Sequence, residues 1–204
     1  MKWLFYMAAG YIMGSVLFGY FLPRYFKGID VEKESADHNP GTANVIRFAG
    51  LPLGLLCLVL DVGKGCFPVF CAGRALPPAS LWFAGVMAAP VLGHAFPFWR
   101  SRRGGKAIAV SFGVLLGVLR FSKSLWLLAA LYLVMVLLHR IRPNERKSVY
   151  TFALFGAVSA GALFFGRAPG ICLGNMLIAA AVVYRNWDGA GFREKGGEAL
   201  EEKS

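Results

Sequence analysis

The chain is predicted to be an all-α polytopic membrane protein with seven transmembrane helices, its N-terminus outside and its C-terminus in the cytoplasm. Three observations predict this. Of 204 residues, 57% are hydrophobic and 16% charged, a composition unsuited to a soluble domain. Apolar runs of spanning or near-spanning length recur at 3–23, 49–72, 80–98, 107–119, 124–139, 148–166 and 170–184. Basic residues gather in alternate connections between those runs.

That alternation gives the orientation. Segments 24–48, 99–106, 140–147 and 185–204 each carry four Lys or Arg, sixteen of the chain's 22. The intervening connections hold only Lys2, Arg74, Arg120 with Lys123, and Arg167, while Lys64 lies inside a run. Basic connections stay on the cytoplasmic side, so residues 1–190 read as one helical membrane domain and 191–204 as a cytoplasmic tail. Several runs are short for a full crossing, which predicts tilt, local thinning or helix ends buried in protein.

The net charge of +11 does not point to nucleic acid, because no basic, aromatic-interleaved soluble domain carries it. Cys57, Cys66, Cys71 and Cys172 lie in or beside apolar runs without paired metal spacing and read as small core residues. The first run lacks a cleavage pattern after it and is expected to be retained.

Each element has its own local logic. Gly10, Gly14 and Gly19, with Ser15, bring small residues to neighbouring turns of the first run, where a partner backbone can approach closely. The loop DVEKESADHNPGTANVIRFAG places Asn39, Gly41, Thr42, Asn44 and Arg47 at the start of the second run. Arg47 suits bidentate phosphate recognition; equally, the loop is a polar turn with Thr42 or Asn44 as helix cap. Asp61 and Lys64 are three residues apart on one face of the second run. Charges there face a bundle interior or a polar cavity, as a salt bridge or as a substrate contact.

The stretch GHAFPFWRSRRGGKAIA, 93–109, joins His94, an aromatic-proline corner, arginines, and Gly104-Gly105-Lys106 at the start of an apolar run. Two glycines before a lysine allow close backbone approach to an anion. A helix beginning at Lys106 or Ala107 would add unpaired N–H groups and the positive end of its dipole. This reads as a phosphate-binding corner, with a topology-fixing basic loop as the plainer alternative. It is not a Walker A loop, since the first glycine is missing and Ala107 replaces the hydroxyl residue. Ser148 and Thr151 open the sixth run, and Asn186, Asp188 and Glu198 follow the seventh. The polar, glycine-containing loops all fall on one side. A cationic pocket at that edge of a helical bundle suits a soluble phosphate compound meeting a lipid-like one.

These residues resemble the PlsY-type acyl-phosphate:glycerol-3-phosphate acyltransferases of bacterial inner membranes. Gly14-Ser15-Val16-Leu17-Phe18-Gly19-Tyr20 is similar to the family's GS-x-x-FGY, and Asn39 to Arg47 to its N-x-G-[AT]-T-N-x-x-R. Asp61-Val62-Gly63-Lys64-Gly65 resembles D-x-x-KG, and Gly93-His94-Ala95-Phe96-Pro97 with Gly104-Gly105-Lys106-Ala107 resembles GH-x-[FW]-P followed by GGK-[GA]. The order holds from Gly14 to about Thr151.

The resemblance implies transfer of a fatty acyl group from acyl phosphate to glycerol 3-phosphate, giving lysophosphatidate, by a monomer in the inner membrane without metal or cofactor. It assigns Asn44 and Arg47 to the acceptor phosphate, and Lys106 with the Gly104 and Gly105 amides to the acyl phosphate. Asn39, Lys64, His94, Ser148 and Thr151 would line or bond the substrates. Where the family has Ser-Gly this chain has Asp37-His38, which would take up catalytic work together with Lys106 and Ser148. Thr151 stands for a second serine. Tyr184 or Arg185 occupies the region of a family histidine, and Glu198 is a loose match to a later glutamate. A relative that binds a lipid phosphate without turnover, or acylates another hydroxyl compound, is the alternative. A small transporter is weaker still, because no inverted repeat or midplane-broken helix pair is evident.

Overall fold

All seven apolar runs are helical in the computed structural model, which describes residues 1–100, 104–138 and 143–190. The helices are α1 (Lys2–Gly14), α2 (Phe18–Lys27), α3 (Val31–Glu34), α4 (Thr42–Ala49), α5 (Leu51–Ala75), α6 (Trp82–Ala95), α7 (Ile108–Gly117), α8 (Ser124–Leu137), α9 (Asn144–Phe164) and α10 (Pro169–Trp187), before a 3-10 turn at Asp188–Ala190. The stretch Lys2–Lys27 and the helices Leu51–Ala75 and Asn144–Phe164 are long and apolar enough to cross a membrane; α6, α7 and α8 are shorter apolar helices. The tail 191–204 with Glu198, and also Arg102, Arg103 and His139, lie outside the described residues.

The first run is one span in composition but two helices in fact. Leu17 is extended, with φ −91° and ψ 93°, and the break leaves carbonyls that need donors. Lys64 Nζ donates to the Val16 carbonyl oxygen and Trp99 Nε1 to that of Ser15, the latter at 2.8 Å. A lysine from α5 and an indole beyond α6 therefore hold open a kink between α1 and α2. Gly10 and Gly14 carry α1 onto Pro90 of α6, the packing role their spacing suggested.

The basic loop after α2 is itself structured. Asp30 caps α3 by accepting from the Glu32 and Lys33 amides, an N-cap arrangement. The cap expected at Thr42 or Asn44 is not made. Gly41 is the N-cap of α4 and has no side-chain cap bond. Asn44 instead turns its amide to Asp37 Oδ1 and the Asn39 carbonyl, both at 2.8 Å. The side chain that would have closed the helix start is used to tie the loop together.

Helix α7 has ten residues and spans only about 15 Å, roughly half a hydrocarbon core. It can end inside protein because it is pressed against α5. A Cβ at Gly65 would overlap the Val110 carbonyl, and one at Gly113 would overlap that of Val62. Around this contact Phe83, Met87, Val110, Leu128, Phe152, Phe155 and Ile178 form the main core, all fully buried. The result for function is positional: the N-terminus of a short, rigidly held helix is set at the inner end of a cavity.

Candidate substrate cavity

A cavity of about 810 Å³ opens where the 35–41 loop, α4, α5, α7, α8 and α9 meet. Its lining has two characters. Asp37, Asn39, Asn44, Lys106, Glu145 and Ser148 provide the polar portion, while Leu58, Val62, Ile108, Phe112, Tyr132 and Val136 provide the apolar portion. A polar head joined to an alkyl chain matches such a surface better than either does alone.

The Gly104-Gly105-Lys106 corner is built by contacts on both sides. A Cβ at Gly104 would overlap the Ala95 carbonyl, and one at Gly105 would overlap the His94 ring. Neither glycine has positive φ; the left-handed residue is Ala107, at φ 61°. The glycines are thus required for close approach, and the tight turn falls one residue after the lysine. Helix α7 begins at Ile108 rather than at Lys106 or Ala107. Lys106, Ala107, Ile108 and Ala109 all line the cavity, so the helix start and its unpaired N–H groups are directed to it. The Gly105 amide is otherwise engaged: it donates to the His94 carbonyl at 3.0 Å, which corrects its assignment as a phosphate donor.

Lys106 Nζ bridges two carboxylates, Asp37 Oδ2 and Glu145 Oε1, each at 2.5 Å. Burial pushes the Asp37 carboxyl up, but hydrogen bonding and charge from Lys106 outweigh it and hold the group below its ordinary 3.8. Burial pulls Lys106 down, and the bonds and charges of Asp37 and Glu145 together carry it above its ordinary 10.5. A lowered carboxyl contributes stability above its unfolded value and loses it as pH falls through the folded one. A raised lysine contributes below its unfolded value and loses it as pH rises through the folded one. The melting-temperature gap between wild type and Asp37→Asn should therefore be flat from about pH 5 to about pH 10 and shrink in stronger acid or base. Detergent-phase melts across pH check this; a gap largest in acid would reverse the assignment.

The remaining sequence-selected residues separate into two groups. Asp37, Asn39, Asn44, His94, Lys106 and Ser148 line the cavity, and the Ser148 hydroxyl lies 3.2 Å from that of Tyr132. His94 Nδ1 is 3.8 Å from Asp61 Oδ1. Arg47, Lys64, Gly104, Gly105, His38 and Thr151 are not among the lining residues. Arg47 is exposed opposite the buried Val45 and Ala49 stripe of α4, with its guanidinium 5.2 Å from the Phe48 ring. Lys64 is buried on Asp61, 2.7 Å away. His38, at φ 47°, hydrogen-bonds through Nδ1 with the Glu32 carbonyl at 2.8 Å. Thr151 is fully buried one turn behind Ser148.

Sequence reasoning passed over Glu145, Lys147, Tyr132 and Asn144, all in the lining. Glu145 sits three residues before Ser148 on α9, hence on the same face; that spacing was the available signal. At the end of α10 the cavity meets neither Tyr184 nor Arg185 but Asn186, whose amide donates to the Lys106 carbonyl at 3.3 Å. Tyr184 is exposed. Arg185 lies behind the corner, donating to the Gly104 and Gly105 carbonyls at 2.5 and 3.3 Å.

Comparison with known proteins follows the same outline. Residues 4–190 match the family described as glycerol-3-phosphate acyltransferase. The glycerol-3-phosphate acyltransferase of Myxococcus xanthus is 45% identical over 107 residues, covering 52% of this chain and 55% of that protein. That of Pseudomonas paraeruginosa is 34% identical over 186 residues, 91% of this chain and 92% of that protein. In the alignments to M. xanthus and Anaeromyxobacter, the chain spans about half the length of the curated relatives it matches. The crystal structure of PlsY (YgiH), an integral membrane glycerol 3-phosphate acyltransferase, in its glycerol 3-phosphate form superposes with TM-score 0.81 at 24% identity, covering 96% of this chain and 94% of that one. Its lysophosphatidic acid form gives 0.76, covering 100% and 94%. The shared fold is all-α and multi-pass in the membrane.

Proposed function

The chain belongs to the glycerol-3-phosphate acyltransferase family, and from that membership we propose that it transfers a fatty acyl group from acyl phosphate to glycerol 3-phosphate. The observation that carries the reading is the two-part cavity, with Lys106 and the α7 N-terminus at its polar portion and an apolar lining beside them. The acyl chain lies along Leu58, Val62, Phe112 and Val136. The acyl phosphate is held by Lys106 and the helix start. Asn39, Asn44 and Ser148 bond the acceptor, and His94 lines the corner.

The acceptor hydroxyl oxygen bonds to the carbonyl carbon, the carbon–oxygen bond to phosphate breaks, and inorganic phosphate leaves. The hydroxyl proton passes to the Asp37 carboxylate after phosphate has drawn Lys106 away from it. Charge that grows on the carbonyl oxygen and the leaving phosphate meets fixed donors, and much of the rate comes from positioning. No metal or cofactor is required by this scheme. His38, on the Glu32 carbonyl, and Thr151, buried behind Ser148, are given no substrate contact in this scheme.

The same reading takes the seven helical runs as seven spans, with the N-terminus outside and the cavity on the cytoplasmic face of a bacterial inner membrane. It treats 1–190 as one domain, 191–204 as a tail, and the protein as a monomer. One observation favours a second reading, an altered hydroxyl acceptor: Arg47 and Lys64 are absent from the lining, so the acceptor phosphate has fewer cations than the motifs suggested.

The test is acyl transfer by detergent-purified protein from palmitoyl phosphate to labelled glycerol 3-phosphate. Lysophosphatidate is the expected product; its absence, with transfer to another hydroxyl compound, would move the assignment to the second reading. The apolar lining adds a length prediction. Val62→Phe should lower kcat/KM for palmitoyl phosphate about tenfold relative to octanoyl phosphate, since pocket-volume changes of this size are worth about 1–3 kcal/mol. An unchanged ratio would place the chain elsewhere.

A further inference from the structure

Lys106 is the lysine whose ammonium lies between carboxylates from two separate elements, Asp37 on the 35–41 loop and Glu145 in the first turn of α9. Two oxygens each 2.5 Å from one nitrogen are at most about 5 Å apart, close enough for strong mutual repulsion once that nitrogen is taken away. Other charged groups line or back the same cavity. Lys147 lines the cavity from α9 and Asp61 from α5, where Lys64 pairs with it from behind. His94 faces in from α6, and Arg185 of α10 is directed to the Gly104 and Gly105 carbonyls. Among the described residues the lining thus holds three carboxylates, Asp37, Asp61 and Glu145, against two lysines.

The two partners of Lys106 are not equivalent. Glu145 has 16% of its side chain exposed and sits in the first turn of a long helix, where the dipole favours a carboxylate. Its Cγ also packs beside Gly189. Asp37 has 34% exposed and belongs to a loop. Besides Lys106, its carboxylate accepts from the Asn44 side-chain amide at 2.8 Å and from the Asn39 backbone amide, both on its own side of the cavity, so these bonds can stay when Lys106 is given up. Glu145 is the fixed partner and Asp37 the one that can leave.

We propose that Asp37 is a built-in competitor for Lys106: it occupies the ammonium in the empty site, a phosphate group that Lys106 holds binds by displacing it, and, once its proton has passed to the leaving phosphate, its return helps expel inorganic phosphate. The inference rests on Lys106 being the phosphate ligand of the proposed function and goes beyond it, because it makes Asp37 the residue that sets phosphate affinity. An intramolecular counterion lowers the apparent affinity of every anion that must replace it, by the fraction of sites it holds closed. A neutral ligand is not affected.

The experiment is direct binding of inorganic phosphate and of methyl phosphate to the purified full chain in detergent, by calorimetry at fixed ionic strength, with glycerol as the uncharged control. Asp37→Asn keeps an oxygen to accept from Asn44 and removes the charge. It should bind both phosphates about tenfold more tightly, with glycerol unchanged. Asp37→Ser should do the same if Asp37→Asn expresses poorly, and Asp37→Glu should restore weaker binding. Phosphate affinity that is unchanged or reduced in both neutral variants, while Lys106→Ala abolishes it, would overturn the competitor role alone. Phosphate binding that ignores Lys106→Ala would overturn the underlying site assignment.

Discussion

Lys106→Ala should lower kcat/KM for acyl transfer by about 10³-fold, the scale on which removing a single transition-state donor acts. The expected loss is large for two reasons that add. The variant removes the ammonium that the α7 start and the Ala107 turn set at the cavity. It also leaves Asp37 and Glu145, which share that ammonium, as neighbouring carboxylates without their common counterion. Lys106→Arg retains charge but cannot occupy the same short contacts, so it should recover part of the rate, mostly in KM. The measurement is steady-state transfer from palmitoyl phosphate with each variant. Retention of more than about a tenth of wild-type turnover would mean that the phosphate is held by other groups, Lys147 being the remaining lining lysine.

Glu145 marks the limit of what the sequence discloses. Helix content was legible because apolar runs repeat at spanning length, and the close packing at Gly104-Gly105 was legible because two adjacent glycines permit it, although a plain basic loop fitted the same residues. The kink at Leu17 was not, since the break in α1–α2 is held by Lys64 and Trp99, distant in sequence. The same separation hid the partner of Lys106. Glu145 lies 39 residues away, and its one local signal is the three-residue spacing to Ser148. Arg47 is the opposite case: its motif is clear, but α4 places the side chain opposite its buried stripe and outside the cavity lining. His38 shares with Asp37 the place of the family's Ser-Gly, but its backbone is left-handed and its ring meets the Glu32 carbonyl. Adjacent residues share a segment without sharing a direction.

Lys64→Ala should destabilise the fold by about 3–5 kcal/mol, the cost of breaking a buried ion pair from one side. Asp61 and Lys64 have side chains only 4% and 3% exposed, with nitrogen and oxygen 2.7 Å apart. Removing the lysine leaves a carboxylate in the bundle interior and strips the donor from the Val16 carbonyl at the α1–α2 kink. Replacing both members, Asp61→Asn with Lys64→Met, removes the stranded charge and should recover most of the melting temperature lost by Lys64→Ala. Fluorescence-detected melts in detergent decide this, and equal losses in the single and double variants would show that the pair is not energetically coupled. Turnover then separates the two readings that spacing alone left open. Asp61 lines the cavity beside His94, whereas Lys64 lies behind it. A double variant that melts near the wild-type temperature yet turns over slowly would assign Asp61 to the reacting site. One that regains both would make the pair a structural bridge whose task is to hold the kink beside the cavity.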